Sequence, residues 1–109
     1  LAEPFDAIKN GTKTIEIRLN DEKHRSIKVG DDIEFLKESD PKERVRVNIV
    51  KIEKFGSLED LVDAYTLDKF GKNRSFNTKE ELLQRLHKLR SLREDKKFGV
   101  LTFHMRKIG

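Results

Sequence analysis

Residues 10–20 read Asn-Gly-Thr-Lys-Thr-Ile-Glu-Ile-Arg-Leu-Asn, and this stretch carries the strongest structural signal in the chain. Its start, Asn10-Gly11, is a helix-stop or turn signal, because glycine reaches positive φ without a Cβ penalty. From residue 14 onward, polar and apolar side chains alternate strictly. One face carries Ile15, Ile17 and Leu19. Period-two alternation with β-branched residues predicts a strand, here over residues 14–19, with one buried face.

The polar face of this predicted strand carries the main candidates for chemistry. Alternation puts Glu16 and Arg18 on the same side, about 7 Å apart along the strand. Lys13 lies at the strand entrance, where a turn can direct its stem either way. The planar fork of Arg18 suits phosphate, and Glu16 can orient it or accept a bond from a base or a ribose hydroxyl. A surface ion pair worth less than ~1 kcal/mol is the alternative interpretation.

The run Gly11-x-Lys13-x-x-x-x-Arg18 resembles the signature of the ASCH domain, a small PUA-like β-barrel associated with RNA. Matching flanks strengthen the resemblance, and they lie at Pro4–Lys9, Ile27–Asp31 and Lys96–Leu101. The resemblance covers nearly the whole chain and places the motif at the mouth of a binding cleft.

The fold that this resemblance implies is a single α+β domain over residues 1–109. We expect a PUA-like mixed β-barrel of about five or six strands with two or three peripheral helices. A short strand just before Leu1 is also implied, so we expect a few N-terminal residues to be missing.

Periodicity along the rest of the chain agrees with an α+β domain. The expected helices run from Glu3 to Asn10 and begin after the capping residues Ser57 and Thr78. A strand through Val45 to Ile52 changes phase at Val50, which predicts a β-bulge. Further extended segments are expected at residues 27–29, 33–35 and 99–105. We expect loops at residues 20–26 and 67–77 and a polar connection at 37–42, where Pro41 argues against a continuing strand.

Composition sets limits on the function. The 109 residues are 40% charged and include no cysteine, which excludes disulfides and thiolate metal sites. No apolar run approaches the ~20 residues of a membrane span. We therefore expect a soluble cytoplasmic protein without cofactor or metal. Its oligomeric state stays open, with a monomer favoured.

Charge is concentrated in one segment. Residues 69–97 hold ten basic and four acidic side chains, a local net charge of +6 in a chain whose total is +4. Such asymmetry indicates either a nucleic-acid surface or an ordinary solvated helix face. His24, His87 and His104 show no metal-ligand spacing, and His104 is a candidate for the same cleft as Arg18. Core packing is expected for Phe55 and Tyr65, whereas stacking on bases is an alternative for Phe70 and Phe76.

Motif and charge together favour a binding module for RNA or a nucleotide. The predicted binding residues are Gly11, Lys13, Glu16, Arg18, Lys72 and Arg74.

Catalysis is the alternative, and whether the chain is an enzyme stays open at this point. The resemblance extends to amidohydrolases that deacetylate a modified cytidine, which have a lysine at the position of Lys13. Those enzymes have a threonine nucleophile where this chain has Glu16, and an acidic residue near the position of Ser75. If this chain is a hydrolase, Lys13 is the expected general base or oxyanion stabiliser and Glu16 its acid–base partner. Ribonuclease activity, linked to other members, is the second form of this alternative.

Overall fold

A computed structural model describes residues 2–70 and 76–108 of the protein. The strands are β1 (Ile15–Leu19), β2 (Asp32–Lys37), β3 (Asp40–Phe55) and β4 (Val100–Lys107). The helices are α1 (Ala2–Lys9), α2 (Glu22–Arg25), α3 (Leu58–Asp63), α4 (Lys79–Lys88) and α5 (Asp95–Phe98). Two 3-10 turns lie at Leu67–Phe70 and Arg90–Leu92. None of the described helices is long and apolar enough to cross a membrane.

The strands form one antiparallel sheet in the order β1-β4-β3-β2, curled into a half-barrel. The α+β class is confirmed, and the curl is consistent with the expected PUA-like barrel. The described residues contain four strands, not five or six, because residues 27–29 form no strand of their own. They contain five helices, not two or three, because α2 and α5 are short helices of four residues each.

Strand β3 shows one confirmed and one wrong prediction. The phase change is a β-bulge, since the register with β4 shifts between Ile49 and Lys51 and leaves Val50 exposed. The predicted break at Pro41 is wrong, because β3 already begins at Asp40. The register of β3 with β2 shifts between Leu36 and Lys37, and this shift leaves Pro41 without a partner residue in β2. Because no ladder hydrogen bond is needed at this position, the missing N–H of proline is tolerated.

The sheet buries a different core on each face. The first, which we call the α1 face, packs against Phe5 and Ile8 of α1. Its remaining buried members are Val45, Val47, Ile49, Leu101, Phe103 and Met105. The second, the α4 face, is covered by α3 and α4. Its buried members are Leu58, Leu61, Val62, Phe76, Leu82, Leu86, Leu92 and Val100. Because side chains alternate along a strand, β1 supplies Ile17 and Leu19 to the α4 face and Glu16 and Arg18 to the α1 face.

The predicted helix caps are confirmed. The Ser57 hydroxyl accepts a hydrogen bond from the Asp60 N–H at 3.2 Å, and the Thr78 hydroxyl accepts from the Glu81 N–H at 3.1 Å. A further side chain at the start of α3, the buried Asp95, accepts from the Leu58 N–H through Oδ2 at 3.0 Å. These bonds satisfy N–H groups that have no partner within the helix.

Candidate functional site

The turn between α1 and β1 positions Lys13. Gly11 has φ +82° and ends the helix, as predicted. The Asn10 side chain accepts from the Thr12 N–H at 3.1 Å, and the Lys13 N–H donates to the Ala7 carbonyl at 3.0 Å. Held in this way, Lys13 directs its stem toward the polar face of β1, with Nζ 3.6 Å from Glu16 Oε1.

Glu16 and Arg18 form the centre of the candidate site. Arg18 Nη1 lies 2.8 Å from Glu16 Oε1, and the Glu16 side chain is only 12% exposed. The same carboxylate oxygen accepts from the Ile17 N–H at 3.1 Å, while Arg18 Nη1 donates to the Ile17 carbonyl at 2.9 Å. The motif therefore places three charged side chains in one cluster, Lys13 included.

Both backbone groups of Ile17 point away from the sheet. Strand β1 is at the edge of the sheet and, within the described residues, pairs with β4 alone. Its bonds to β4 include Met105 N–H to Thr14 carbonyl at 2.8 Å and Asn20 N–H to Gly99 carbonyl at 2.9 Å. This antiparallel register turns the N–H and carbonyl of Ile17 outward, where Glu16 and Arg18 bond them.

A cleft of about 180 Å³ opens on the α1 face next to this pair. Its apolar floor consists of Ile27, Ile33, Phe35, Ile49, Phe103 and Met105. Its rim consists of Glu16, Arg18, Lys23 and His24. The predicted site residues Glu16 and Arg18 both lie on this rim, and Lys13 reaches it through its contact with Glu16. An apolar floor with a few polar rim groups is the usual construction of a small-molecule or base pocket.

The sequence does not indicate Lys23 and His24 as residues of the cleft, because residues 20–26 lack apolar periodicity and are expected to form a loop. In the structure, Lys23 and His24 belong to helix α2, whose N-cap is Asp21. Asp21 Oδ1 accepts from the His24 backbone N–H at 3.0 Å and lies 2.6 Å from ring atom Nδ1. Burial opposes ionisation of Asp21, but these two bonds from His24 hold its pKa below the ordinary value. The signal was the spacing Asp21-x-x-His24, since an N-cap residue bonds the third residue after it.

On the α4 face, Glu53 joins two other polar side chains. Glu53 Oε1 accepts from the Tyr65 hydroxyl at 2.5 Å and lies 2.8 Å from His104 Nε2. His104 therefore does not face the cleft of Arg18, and that prediction is wrong. Burial, followed by the hydrogen bond to Glu53, raises the pKa of Tyr65 to about 12. The bond from Tyr65 is also the main cause of a lowered pKa at Glu53.

The aromatic side chains of the α4 face serve packing. Tyr65 makes edge contacts with the rings of Phe55 and Phe70, each with centroids 5.9 Å apart. Phe76 is only 8% exposed and belongs to the buried core of this face. The α4 face therefore uses these rings in its core, as predicted for Phe55 and Tyr65.

The described part of the basic segment lies on the other side of the sheet from the cleft. Lys72 and Arg74 fall outside the described residues. Seven exposed cations of this segment form no ion pair with a described carboxylate: Lys69, Arg85, Lys88, Arg90, Arg93, Lys96 and Lys97. The turn Arg90–Leu92 packs against β1, the strand that also borders the cleft. Edge strand β1 is therefore where the two surfaces approach each other.

No group of three or more His, Asp or Glu side chains in residues 2–70 and 76–108 is arranged to hold a metal ion.

Comparison with known proteins found a matching family and similar solved structures. The sequence profile of the ASCH domain matches residues 1–108. The crystal structure of the hypothetical protein PH0355 is similar with a TM-score of 0.79 and 27% identity, covering 99% of this chain and 94% of that one. The solution structure of protein PF0455 from Pyrococcus furiosus is similar with a TM-score of 0.72 and 27% identity, covering 99% and 92%. No curated protein matches the chain.

Proposed function

The chain belongs to the ASCH domain family, and from that premise we propose that it is an RNA-binding module whose cleft holds one unpaired base. The observation that carries the proposal is the cleft itself, in which an apolar floor with Phe35 and Phe103 meets a rim with Arg18 and Lys23. A flat, largely apolar base suits such a floor, and the adjoining phosphates suit the cations.

The size of the cleft favours a single ring system. An engineered cavity of roughly 150 Å³ binds benzene, and the cleft of about 180 Å³ is slightly larger and open to solvent. Recognition of single-stranded RNA typically uses bases that are splayed out of the strand and stacked on aromatic side chains. One base in the cleft, with its neighbours outside, fits these dimensions.

The motif residues have separate roles in this proposal. Gly11 shapes the turn that brings Lys13 to Glu16. Lys13 and Arg18 offer cations to phosphate at the rim, and Glu16 fixes the guanidinium of Arg18. Past the edge of β1, the RNA strand continues onto the exposed cations of the α4 face. Lys72 and Arg74 are assigned to the same contact because they belong to the same basic segment of the sequence.

Fluorescence anisotropy with labelled single-stranded RNA tests this function. We expect binding at low salt that weakens steeply as salt is raised, because phosphate contacts release counterions. Arg18→Ala should weaken binding, and Arg44→Ala is the matched control. Arg44 also sits on a strand beside a carboxylate, with Nη1 3.2 Å from Glu34 Oε1, but it points away from the α1 face. Absent or salt-independent binding contradicts the proposal.

A second candidate function is hydrolysis of an acetylated nucleoside or of RNA. The observation in its favour is that Lys13 Nζ lies 3.6 Å from Glu16 Oε1 at the rim of the cleft. This distance corresponds to an ion pair, longer than the hydrogen bond through which a base and its partner exchange a proton. Turnover that Lys13→Ala abolishes while RNA binding survives supports the enzyme. The binding module is supported if Lys13→Ala binds RNA more weakly and the unmodified protein turns over neither substrate.

A further inference from the structure

We propose that His24, oriented by Asp21, contacts the bound base and, together with Glu16, selects bases that carry an exocyclic amino group over uracil. This inference rests on the RNA-binding function proposed above. It assigns a specificity role to a side chain outside the Gly11–Arg18 motif.

The ring of His24 is fixed in one orientation. Its Nδ1 lies 2.6 Å from Asp21 Oδ1, and its side chain is 18% exposed on the rim of the cleft. A carboxylate next to Nδ1 keeps the proton of a neutral imidazole on that atom. Nε2, which has no hydrogen-bond partner among the described residues, is then an acceptor available to a ligand.

Glu16 supplies a second acceptor on the rim. Its Oε1 is occupied by Arg18 and by the Ile17 N–H. Its Oε2 accepts no hydrogen bond from the described residues. The cleft therefore combines two acceptors, Glu16 Oε2 and His24 Nε2, with an apolar floor. A ligand that satisfies both acceptors must bring two hydrogen-bond donors, and on a base these donors are N–H groups.

Base chemistry then decides the preference. The amino groups of cytosine and adenine each carry two N–H donors, whereas the equivalent position of thymine, and so of uracil, is a carbonyl acceptor. Uracil offers one ring N–H, flanked by two carbonyl oxygens that would lie against acceptors. An unpaired polar group in a partly buried site costs affinity, so uracil is disfavoured.

Cytosine and uracil provide a matched pair, because the two rings have the same size. We expect labelled oligo(rC) to bind more tightly than oligo(rU) of the same length by about threefold to tenfold, the effect of one or two hydrogen bonds. His24→Ala should reduce this ratio toward one. His87→Ala is the control, since His87 pairs with Glu59 on the α4 face and should leave the ratio unchanged.

Two variants of Asp21 separate ring orientation from helix capping. Asp21→Ser keeps a good N-cap for α2 but is too short to hold the ring, so the ratio should fall as in His24→Ala. Asp21→Asn retains an oxygen that accepts both bonds, so the ratio should be preserved. Circular dichroism checks that each variant is folded.

The outcomes distinguish this inference from the function on which it rests. If neither oligonucleotide binds, the proposed RNA-binding function is wrong, and the inference with it. If both bind with equal, salt-sensitive affinity, RNA binding stands and the base preference is overturned. If the preference exists but survives in both His24→Ala and Asp21→Ser, the role of His24 is overturned.

Discussion

The guanidinium of Arg18 and the carboxylate of Glu16 meet at 2.8 Å directly outside the backbone of Ile17, the residue between them. Together they bond the outward N–H and carbonyl of Ile17. Unpaired backbone groups at a sheet edge are a template for association with another strand. The pair that borders the cleft therefore also closes the edge of the sheet.

This arrangement predicts strong coupling between Glu16 and Arg18. In a double-mutant cycle with alanine, we expect the coupling in the free energy of unfolding to be about 1 kcal/mol, the upper range for a partly exposed pair. The Glu34–Arg44 pair is the control. Its two side chains are 39% and 56% exposed, and its coupling should be closer to zero. Urea denaturation measures both cycles.

Equal coupling in the two cycles contradicts the edge-closing role of Glu16 and Arg18. A second measurement addresses the edge itself. Removing both side chains frees the backbone groups of Ile17, so sedimentation should detect more self-association for Glu16→Ala/Arg18→Ala than for the same change at Glu34 and Arg44.

Alternation alone predicted β1 and the assignment of its faces, because a side-chain period of two fixes which residues share a side. It could not predict that Ile17 points its backbone groups outward. That depends on the pairing of β1 with β4, the one strand that it contacts in residues 2–70 and 76–108, and this pairing involves residues more than 80 positions away in the chain.

The helix caps were likewise predictable only where a clear sequence pattern accompanies them. Ser57 and Thr78 were recognised because apolar periodicity follows them, whereas Asp21 was not, because all four residues of α2 are polar or charged. The cleft rim at His24 depends on this helix lying beside the α1 face, which is a tertiary arrangement without a sequence pattern. The start of β3 at Asp40 was missed for a related reason, since a register shift removes the usual cost of Pro41.

The separation of cleft and basic segment by the sheet predicts separable contributions to RNA binding. Arg90→Ala/Arg93→Ala should lower the salt slope of binding by about 0.7 for each phosphate that the protein no longer neutralises. The ratio of oligo(rC) to oligo(rU) affinity should not change, because neither side chain lines the cleft. Anisotropy titrations at several salt concentrations measure both quantities. An unchanged salt slope means that the bound RNA does not cross the edge of β1 toward these arginines.

The titration of Tyr65 tests the contacts among Glu53, Tyr65 and His104 on the α4 face. Its absorbance can be assigned directly, because Tyr65 is the only tyrosine of the sequence and there is no tryptophan. Phenolate absorbance should titrate with a pKa of about 12, against an ordinary value of 10.0. Because the pKa is raised in the folded state, the protonated hydroxyl of Tyr65 stabilises the fold. This stabilisation is complete below pH 10.0 and is lost as the pH rises through about 12.

Glu53→Gln should lower the pKa of Tyr65 because it removes a charged acceptor. The pKa should remain above 10.0, since burial is the largest cause of the shift. Glu59→Gln, a change at another carboxylate that pairs with a histidine, is the control and should leave the titration unchanged. A Tyr65 titration that ignores Glu53→Gln contradicts the hydrogen bond between them.

Gly99 and Gly11 form a matched pair for backbone strain. Their φ angles are +77° and +82°, so alanine is strained at both. A Cβ at Gly99 would meet the Phe55 carbonyl oxygen at 2.9 Å, whereas at Gly11 nothing lies within 4 Å. We expect Gly99→Ala to cost more than Gly11→Ala in the free energy of unfolding, with strain alone costing about 1–3 kcal/mol. Thermal denaturation compares the two, and equal costs would show that the backbone at Phe55 yields.

Asp95 links the end of the chain to the start of α3. Its side chain is buried, 4% exposed, and Oδ2 accepts from the Leu58 N–H at 3.0 Å. Asp95→Ala leaves that buried N–H without a partner, so we expect a loss of about 1–3 kcal/mol in the free energy of unfolding. Asp95→Asn retains an acceptor for the Leu58 N–H and should lower the free energy of unfolding by less than Asp95→Ala does. Asp63→Ala, at an exposed carboxylate of the same helix, is the control for urea denaturation. If Asp95→Ala costs no more than Asp63→Ala, Asp95 does not hold the start of α3.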